Sequence, residues 1–239
     1  MPKIALISDI HANYPALKAV LDKLEAYEPD FWLCLGDVVG YGPHPKKCIE
    51  VIRERGIQCV MGNHDAGVAG RISWKHFREP NRSLIKKTRD MLSGEEIQWL
   101  RDLPLTLENP KLSCKAVHAS PVKPGRWTYL ESAVKVRDIL QDSEFDYILG
   151  GHTHKPVMVA DRIGIVEIER GTKYYINPGS VGQPRDGDPR ASCGLLDLKE
   201  MTYQNFRLEF DAEQVVADLK YLGFSDNDAR SMMVMYEVS

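Results

Sequence analysis

No two of the five cysteines form a Cys-x-x-Cys pair, and their number is odd. Neither a zinc ribbon nor a paired disulfide framework is therefore indicated. Cys34 and Cys59 fall in apolar runs and read as small buried hydrophobes, and a reducing cytoplasm is the expected compartment. No apolar run approaches the roughly 20 residues that a membrane-crossing helix needs. The chain enters strand-like Lys3-Ile4-Ala5-Leu6-Ile7 directly, with no secretory leader, so no membrane partner is expected. Neither sign of charge is in large excess: 31 Lys and Arg face 34 Asp and Glu, a net −3. That balance argues against an extended grip on nucleic acid. No repeat or low-complexity linker divides the chain. Its 239 residues, 43% of them hydrophobic, suit a single domain over 1–239 with one substantial core.

The chemistry is concentrated in five short clusters: Asp9-Ile10-His11, Gly36-Asp37, Gly62-Asn63-His64-Asp65, His118, and Gly150-Gly151-His152-Thr153-His154. Five of the seven histidines lie in them. Each cluster follows an apolar run that reads as a strand: Lys3–Ser8, Phe31–Leu35, Gln58–Met61, Lys115–Val117 and Tyr147–Leu149. Sites in open α/β sheets form beyond the carboxyl ends of strands, so these side chains are expected to converge.

The first third alternates strand and helix. Asn13-Tyr14-Pro15 offers an N-cap with Pro in the first turn, and Ala16, Leu17, Val20, Leu21 and Leu24 recur at helical spacing to about Tyr27. Pro45 opens a second helix that Gly56 ends. This βαβαβ pattern predicts a parallel sheet. From Ala66 to Leu103 the chain is polar and helical, with Ser93-Gly94-Glu95-Glu96 as one helix start; we read a helical insertion at about 66–103, beside the site. Leu105–Glu108 and Leu112–Val117 flank Asn109-Pro110 as a hairpin, and a helix around Glu131–Leu140 leads to the strand at Tyr147. Short strands at Val157–Ala160, Ile163–Glu169, Lys173–Ile176, Ser192–Asp197 and Thr202–Arg207 suggest antiparallel pairing. Helices near Ala212–Leu222 and Asp226–Tyr236 end the chain, within about 211–237. The expected class is α/β, two sheets packed face to face with helices outside.

Asp9 and His11 lie two apart, which in an extended segment points both the same way. His152 and His154 repeat that spacing, with Gly150 and Gly151 letting backbone approach an ion. Each cluster alone reads equally well as a polar turn; five together at five strand ends do not. Asp9, His11, Asp37, Asn63, His118, His152 and His154 make seven candidate ligands, whereas a tetrahedral zinc takes four. Seven donors with one bridging carboxylate suit two divalent ions about 3.5–4 Å apart. Two such ions, two carboxylates and a bridging hydroxide leave roughly +1, suited to an anionic phosphoryl group. Nitrogen and oxygen donors accommodate manganese, iron, cobalt, nickel or zinc, and manganese is the expected metal.

Taken in order, Asp-x-His, Gly-Asp, Gly-Asn-His-Asp, a later His and Gly-His-x-His resemble the calcineurin-like metallophosphoesterase superfamily. The resemblance spans Asp9 to about Arg190. Gly36-Asp37-Val38-Val39-Gly40-Tyr41-Gly42-Pro43 and Asn177-Pro178-Gly179-Ser180-Val181-Gly182-Gln183-Pro184-Arg185 are similar to loops of its YfcE-like bacterial and archaeal branch. The resemblance implies a four-layer α/β/β/α sandwich of two mixed sheets. It assigns Asp9, His11 and His154 to one metal, Asn63, His118 and His152 to the other, and Asp37 as the bridge. His64 then binds no metal and serves the leaving group as an acid or a positive charge, with Asp65 placed to orient it. Ala119 departs from the Gly that often follows the equivalent of His118. The implied reaction is hydrolysis of a small phosphodiester or nucleotide by a metal-bound hydroxide. A dinucleoside polyphosphate such as diadenosine tetraphosphate is the alternative substrate, and a protein phosphatase a further one. Some proteins of this fold, a retromer subunit among them, are non-catalytic scaffolds; the presence of His64 and all seven ligands favours an enzyme.

Arg185 and Tyr41 are expected to contact substrate, and Arg190 is a further phosphate candidate. Tyr41, Trp74, Trp127 and Tyr129 read chiefly as packing residues, with a base-stacking wall as the alternative. His44, His76 and the run Lys86-Lys87-Thr88-Arg89 read as surface groups.

Overall fold

In the computed structural model, the residues described are 2–233 apart from Arg78, Pro80 and Val166; the side chains of His76 and Met233 are not described. Two five-stranded sheets form. The first has the order β10-β9-β1-β2-β3, from β1 (Lys3–Ile7), β2 (Phe31–Cys34), β3 (Gln58–Cys59), β9 (Ala191–Asp197) and β10 (Thr202–Leu208). The second has the order β4-β5-β6-β8-β7, from β4 (Thr106–Asn109), β5 (Cys114–Val117), β6 (Tyr147–Leu149), β7 (Val157–Ala160) and β8 (Tyr174–Asn177).

Strand alternation builds the layers. Ile4 and Leu6 of β1 join Leu33, Ala116, Leu149 and Ile176 between the sheets, while Ala5 and Ile7 turn to the helix side. There α1 (Tyr14–Glu25) and α2 (Pro45–Glu54) bury Leu17, Val20, Ile49 and Ile52. On the outer face of the second sheet, Ile148 and Tyr175 meet Val136 and Leu140 of α6 (Ala133–Gln141). Side chains two apart on a strand share a face, so each sheet serves two cores, and the architecture is the four-layer sandwich.

Local signals act as their chemistry dictates. Asn13 Oδ1 accepts from Ala16 N–H at 3.2 Å and caps α1. β1, β2 and β3 pair in parallel, as the crossovers require, and β4–β5 is an antiparallel hairpin. The helical region holds α3 (Asn63–Ala69), α4 (Asn81–Met91) and α5 (Gly94–Asp102). It begins within the Gly-Asn-His-Asp motif rather than after it. Ser93 and Glu96 form a reciprocal cap on α5.

One expectation needs correction. Among the described residues of Ile163–Glu169 there is no strand. The chain turns at Gly164 (φ +89°) with Ile163 exposed, and the buried Tyr174 hydroxyl accepts from Glu169 N–H and donates to Glu167 C=O, replacing ladder bonds. The last helix, α8 (Asp226–Met233), follows α7 (Ala212–Tyr221); Tyr236, the expected end, lies outside the described residues. α7 and α8 pack Val215, Leu219 and Met232 near Leu84 of α4 and Tyr41. Among the described residues no helix is long and apolar enough to cross a membrane.

Candidate metal centre

The five clusters converge where β1, β2, β3, β5 and β6 end. Among the described residues, three groups have donor atoms within 4.8 Å of one another: Asp9, His11 and His154; Asp37, His118 and His152; and His11, Asp37 and His64. The first two coincide with the expected ligand sets, apart from Asn63, whose Oδ1 lies 3.3 Å from His118 Nε2. Asp37 Oδ2 sits between them, 3.7 Å from His11 Nε2 and 3.4 Å from His118 Nε2. Asp9 Oδ1 approaches His154 Nε2 at 3.2 Å.

Most of these candidate ligands are tied down by one polar atom and leave the other free. Asp9 Oδ2 accepts from Ser8 Oγ–H (2.7 Å) and His152 N–H (3.0 Å), whereas buried Asp9 Oδ1 has no hydrogen-bond partner. Asp37 Oδ1 accepts from His64 N–H at 2.8 Å, freeing Oδ2. His118 Nδ1 donates to Leu35 C=O, His154 Nδ1 to Gln183 C=O and His152 Nε2 to Trp127 C=O. Those bonds occupy one nitrogen of each ring, so that His118 Nε2, His154 Nε2 and His152 Nδ1 face the centre. Ring nitrogens crowd together at 3.1 Å in the pairs His11–His154 and His118–His152. An orphaned buried carboxylate oxygen beside converging imidazole nitrogens is the donor arrangement that a cation satisfies, and the residues present fit two of them.

Burial sets the charge states. It drives His152 down to about 3, with His118 adding to the effect, and it lowers His11 and His154 against the pull of Asp37 and Asp9. These three are neutral, as metal ligation requires. Burial also opposes the charge on His118, but Asp37 and Asp9 outweigh it and hold that imidazole at about 10. Burial opposes ionisation of Asp9 and Asp37 too, yet neighbouring histidines keep both well below the usual carboxylate range.

The route to this geometry differs from the sequence reading. Asp9 (φ +52°) and His11 (φ +49°) are not extended; they occupy the left-handed region, as do Asp37, His152 and His154. Such conformations cost about 1–3 kcal/mol each and persist where the surroundings impose them. Here backbone bonds do so: Asp9 N–H to Gly36 C=O, His11 N–H to Asp37 C=O and Gly182 N–H to Asp9 C=O. Gly151 has a steric role in this geometry. A Cβ there would lie 2.0 Å from Ser8 Oγ and 2.8 Å from Asp9 Oδ2, so the glycine makes room for the carboxylate. Gly62 does the same for Asp37, whose Oδ1 would lie 2.0 Å from its Cβ.

Asp65 does not orient His64. Its oxygens accept from the N–H groups of Asp37 (2.8 Å), Val39 (3.1 Å) and Gly62 (3.0 Å), while His64 Nδ1 is buried without a partner. Asp65 instead clamps the loop that carries Asp37 to the start of α3. Burial, then the Asp37 charge, raises its carboxyl to about 7. His64 lies against Tyr41 (4.7 Å) and His11 (4.8 Å), and burial lowers it to about 4.

A cleft of about 260 Å³ opens over the ligands. Tyr41 and Arg185 line it, joined by a 3.3 Å contact from Arg185 Nη2 to Tyr41 Oη. Trp127 and Tyr129 form one wall; Tyr129 is half exposed and stacks on His152 at 4.0 Å. Ile72, Phe77 and Asn81 also line the cleft, and the sequence reading missed them. Their position beside α3 and α4 was the available signal. Arg190 is elsewhere, paired with Asp188 at 2.6 Å. Trp74 donates to Gly67 C=O within the insertion, and His44 pairs with Asp218 at 2.9 Å.

The family model for calcineurin-like phosphoesterase matches residues 2–156. Protein MJ0912 of Methanocaldococcus jannaschii is 37% identical over 219 residues, covering 88% of this chain and 89% of that protein. Phosphodiesterase YfcE of Escherichia coli K12 is 26% identical over 208 residues, 82% of this chain and 88% of YfcE. Among solved structures, a metallophosphoesterase from Sphaerobacter thermophilus superposes with a TM-score of 0.81 at 32% identity, covering 96% of this chain and 97% of its own.

Proposed function

The chain belongs to the calcineurin-like phosphoesterase family and is a phosphoric ester hydrolase, and from that premise we propose that it hydrolyses small phosphodiesters or nucleotides at a two-metal centre in the cytoplasm. The observation that carries this reading is Asp37 Oδ2, set between His11 and His118 where two donor groups meet. Asp9, His11 and His154 would hold one cation; Asn63, His118 and His152 the other; Asp37 would bridge. When bound, two divalent cations, with manganese preferred, would neutralise phosphoryl oxygens and lower the pKa of a water so that hydroxide is available to attack phosphorus at neutral pH.

The chain's own groups do the rest. Arg185 and the Tyr41 hydroxyl supply donors for non-bridging phosphoryl oxygens from the cleft wall. His64, lowered to about 4, is neutral at pH 7, keeps one ring N–H and donates it toward the departing oxygen. Tyr129, Trp127 and Phe77 give the cleft flat apolar faces, which suit a nucleoside or aryl group. A cleft of about 260 Å³ suits a small ester better than a segment of folded phosphoprotein.

The test is a screen of phosphomonoesters, phosphodiesters and dinucleoside polyphosphates against metal-free protein, with manganese, iron, cobalt, nickel or zinc restored singly. Metal-dependent cleavage of diesters is expected. No hydrolysis of any ester with two ions bound would put the scaffold reading in its place.

A further inference from the structure

We infer that Gln183 is a positioning residue that sets the Arg185 guanidinium over the cleft and makes α8 part of the substrate site. This rests on the reading of Arg185 as a substrate contact. Gln183 is fully buried, and both polar atoms of its side chain are used. Oε1 accepts from Arg185 Nη2 at 2.7 Å and from Arg185 Nε at 3.3 Å. Nε2 donates to Met232 C=O of α8 at 2.5 Å. Its main chain is equally committed: the carbonyl accepts from His154 Nδ1, and the N–H donates to Ser180 Oγ.

The amide can face only one way. A guanidinium offers donors alone and a carbonyl offers an acceptor alone, so the oxygen must meet Arg185 and the nitrogen α8. Reversal would oppose donor to donor and acceptor to acceptor in a buried site. Arg185 Nε and Nη2 are thus held from behind, and Nη2 also reaches Tyr41 Oη at 3.3 Å. Arg185 Nη1 makes no hydrogen bond among the described residues and remains for a phosphoryl oxygen. Gln183 lies beyond residues 2–156 matched by the family model. The C-terminal helix α8 therefore reaches substrate through one amide.

The test compares Gln183→Met, Gln183→Glu, Arg185→Ala and the double variant Gln183→Met/Arg185→Ala, with bis(p-nitrophenyl) phosphate and manganese. Loss of a buried bond to a charged group is worth roughly 10- to 100-fold. Gln183→Met should raise KM by about that factor with kcat within a few-fold and with manganese content unchanged. The double variant should be no worse than Arg185→Ala alone, because the amide acts through the guanidinium. Gln183→Glu keeps an oxygen for Arg185 and should hold KM near wild type while lowering Tm, since its carboxylate faces Met232 C=O. A readout independent of turnover is the Arg185 Nε–H resonance of 15N-arginine-labelled protein. It should be slow to exchange in wild type and Gln183→Glu, and broadened in Gln183→Met. Additive effects, or a KM rise in Gln183→Glu equal to that of Arg185→Ala, would overturn the inference. If Gln183→Met does not fold, the Gln183→Glu arm and the wild-type resonance decide alone. Absence of any hydrolysis by wild type would refute the phosphoesterase reading instead, leaving the resonance as the measure of this one.

Discussion

Loading the metal-free protein should release protons, and the site geometry says how many. Asp37 Oδ2 lies 3.4 Å from His118 Nε2, and Asp37 and Asp9 overcome burial to hold that imidazole at about 10. At pH 7.5 it is therefore essentially fully protonated, whereas burial keeps His11, His152 and His154 neutral. A ligand nitrogen must be unprotonated. One proton from His118 is thus the floor for release per chain. Affinity for the cation at that position should rise about tenfold per pH unit between pH 7 and 9. Titration calorimetry with manganese, run in buffers of different ionisation enthalpy, measures the release as a slope. A slope near one or above is expected. A slope below about 0.3, with affinity flat from pH 7 to 9, would refute the charge assignment. The same linkage acts on folding. A histidine raised above its unfolded value stabilises fully below about 6.5, and that stability is lost as pH climbs through about 10. The metal-free protein should lose a few kcal/mol over that window, since each tenfold change in proton affinity between the folded and unfolded chain is worth about 1.4 kcal/mol.

Three further outcomes follow. His64→Ala should keep both ions and the fold yet lose roughly 10²–10⁴ in rate on alkyl esters, with a smaller loss on p-nitrophenyl esters; wild-type rates on alkyl esters would remove His64 from the chemistry. Asp37→Asn should lose more activity than Asn63→Ala at saturating manganese, because Asp37 faces both donor groups; equal, mild losses would make it a turn residue. Gly151→Ala should destabilise the metal-free protein by about 2–4 kcal/mol in urea unfolding, since a Cβ 2.0 Å from Ser8 Oγ breaks its bond to Asp9 and overpacks the loop. A loss under about 0.5 kcal/mol would contradict the packing seen there.

The convergence of the seven candidate side chains was legible because they recur at strand ends, and the sheet order brings those ends together. Helix starts were legible for the same local reason, through Asn13, Ser93 and the prolines. The conformations that aim the donors were not. Asp9 and His11 adopt positive φ where the distant carbonyls of Gly36 and Asp37 hold their N–H groups, and no local pattern encodes a partner far along the chain. Asp65 misled for a related reason: adjacency to His64 suggested a contact, whereas helix geometry turns its carboxylate onto the N–H groups of Asp37, Val39 and Gly62. Ile163–Glu169 carried strand composition, but a buried Tyr174 hydroxyl took its backbone bonds. No local pattern singles out Gln183; tertiary packing joins it to Met232 and Arg185.

The central claim, two cations shared across Asp37, is tested most directly by anomalous scattering from crystals soaked in manganese. The account predicts two peaks per chain on either side of the Asp37 carboxylate, one beside Asp9, His11 and His154 and one beside Asn63, His118 and His152. A single peak at saturating manganese, or a pair that leaves Asp37 uncoordinated, would contradict it.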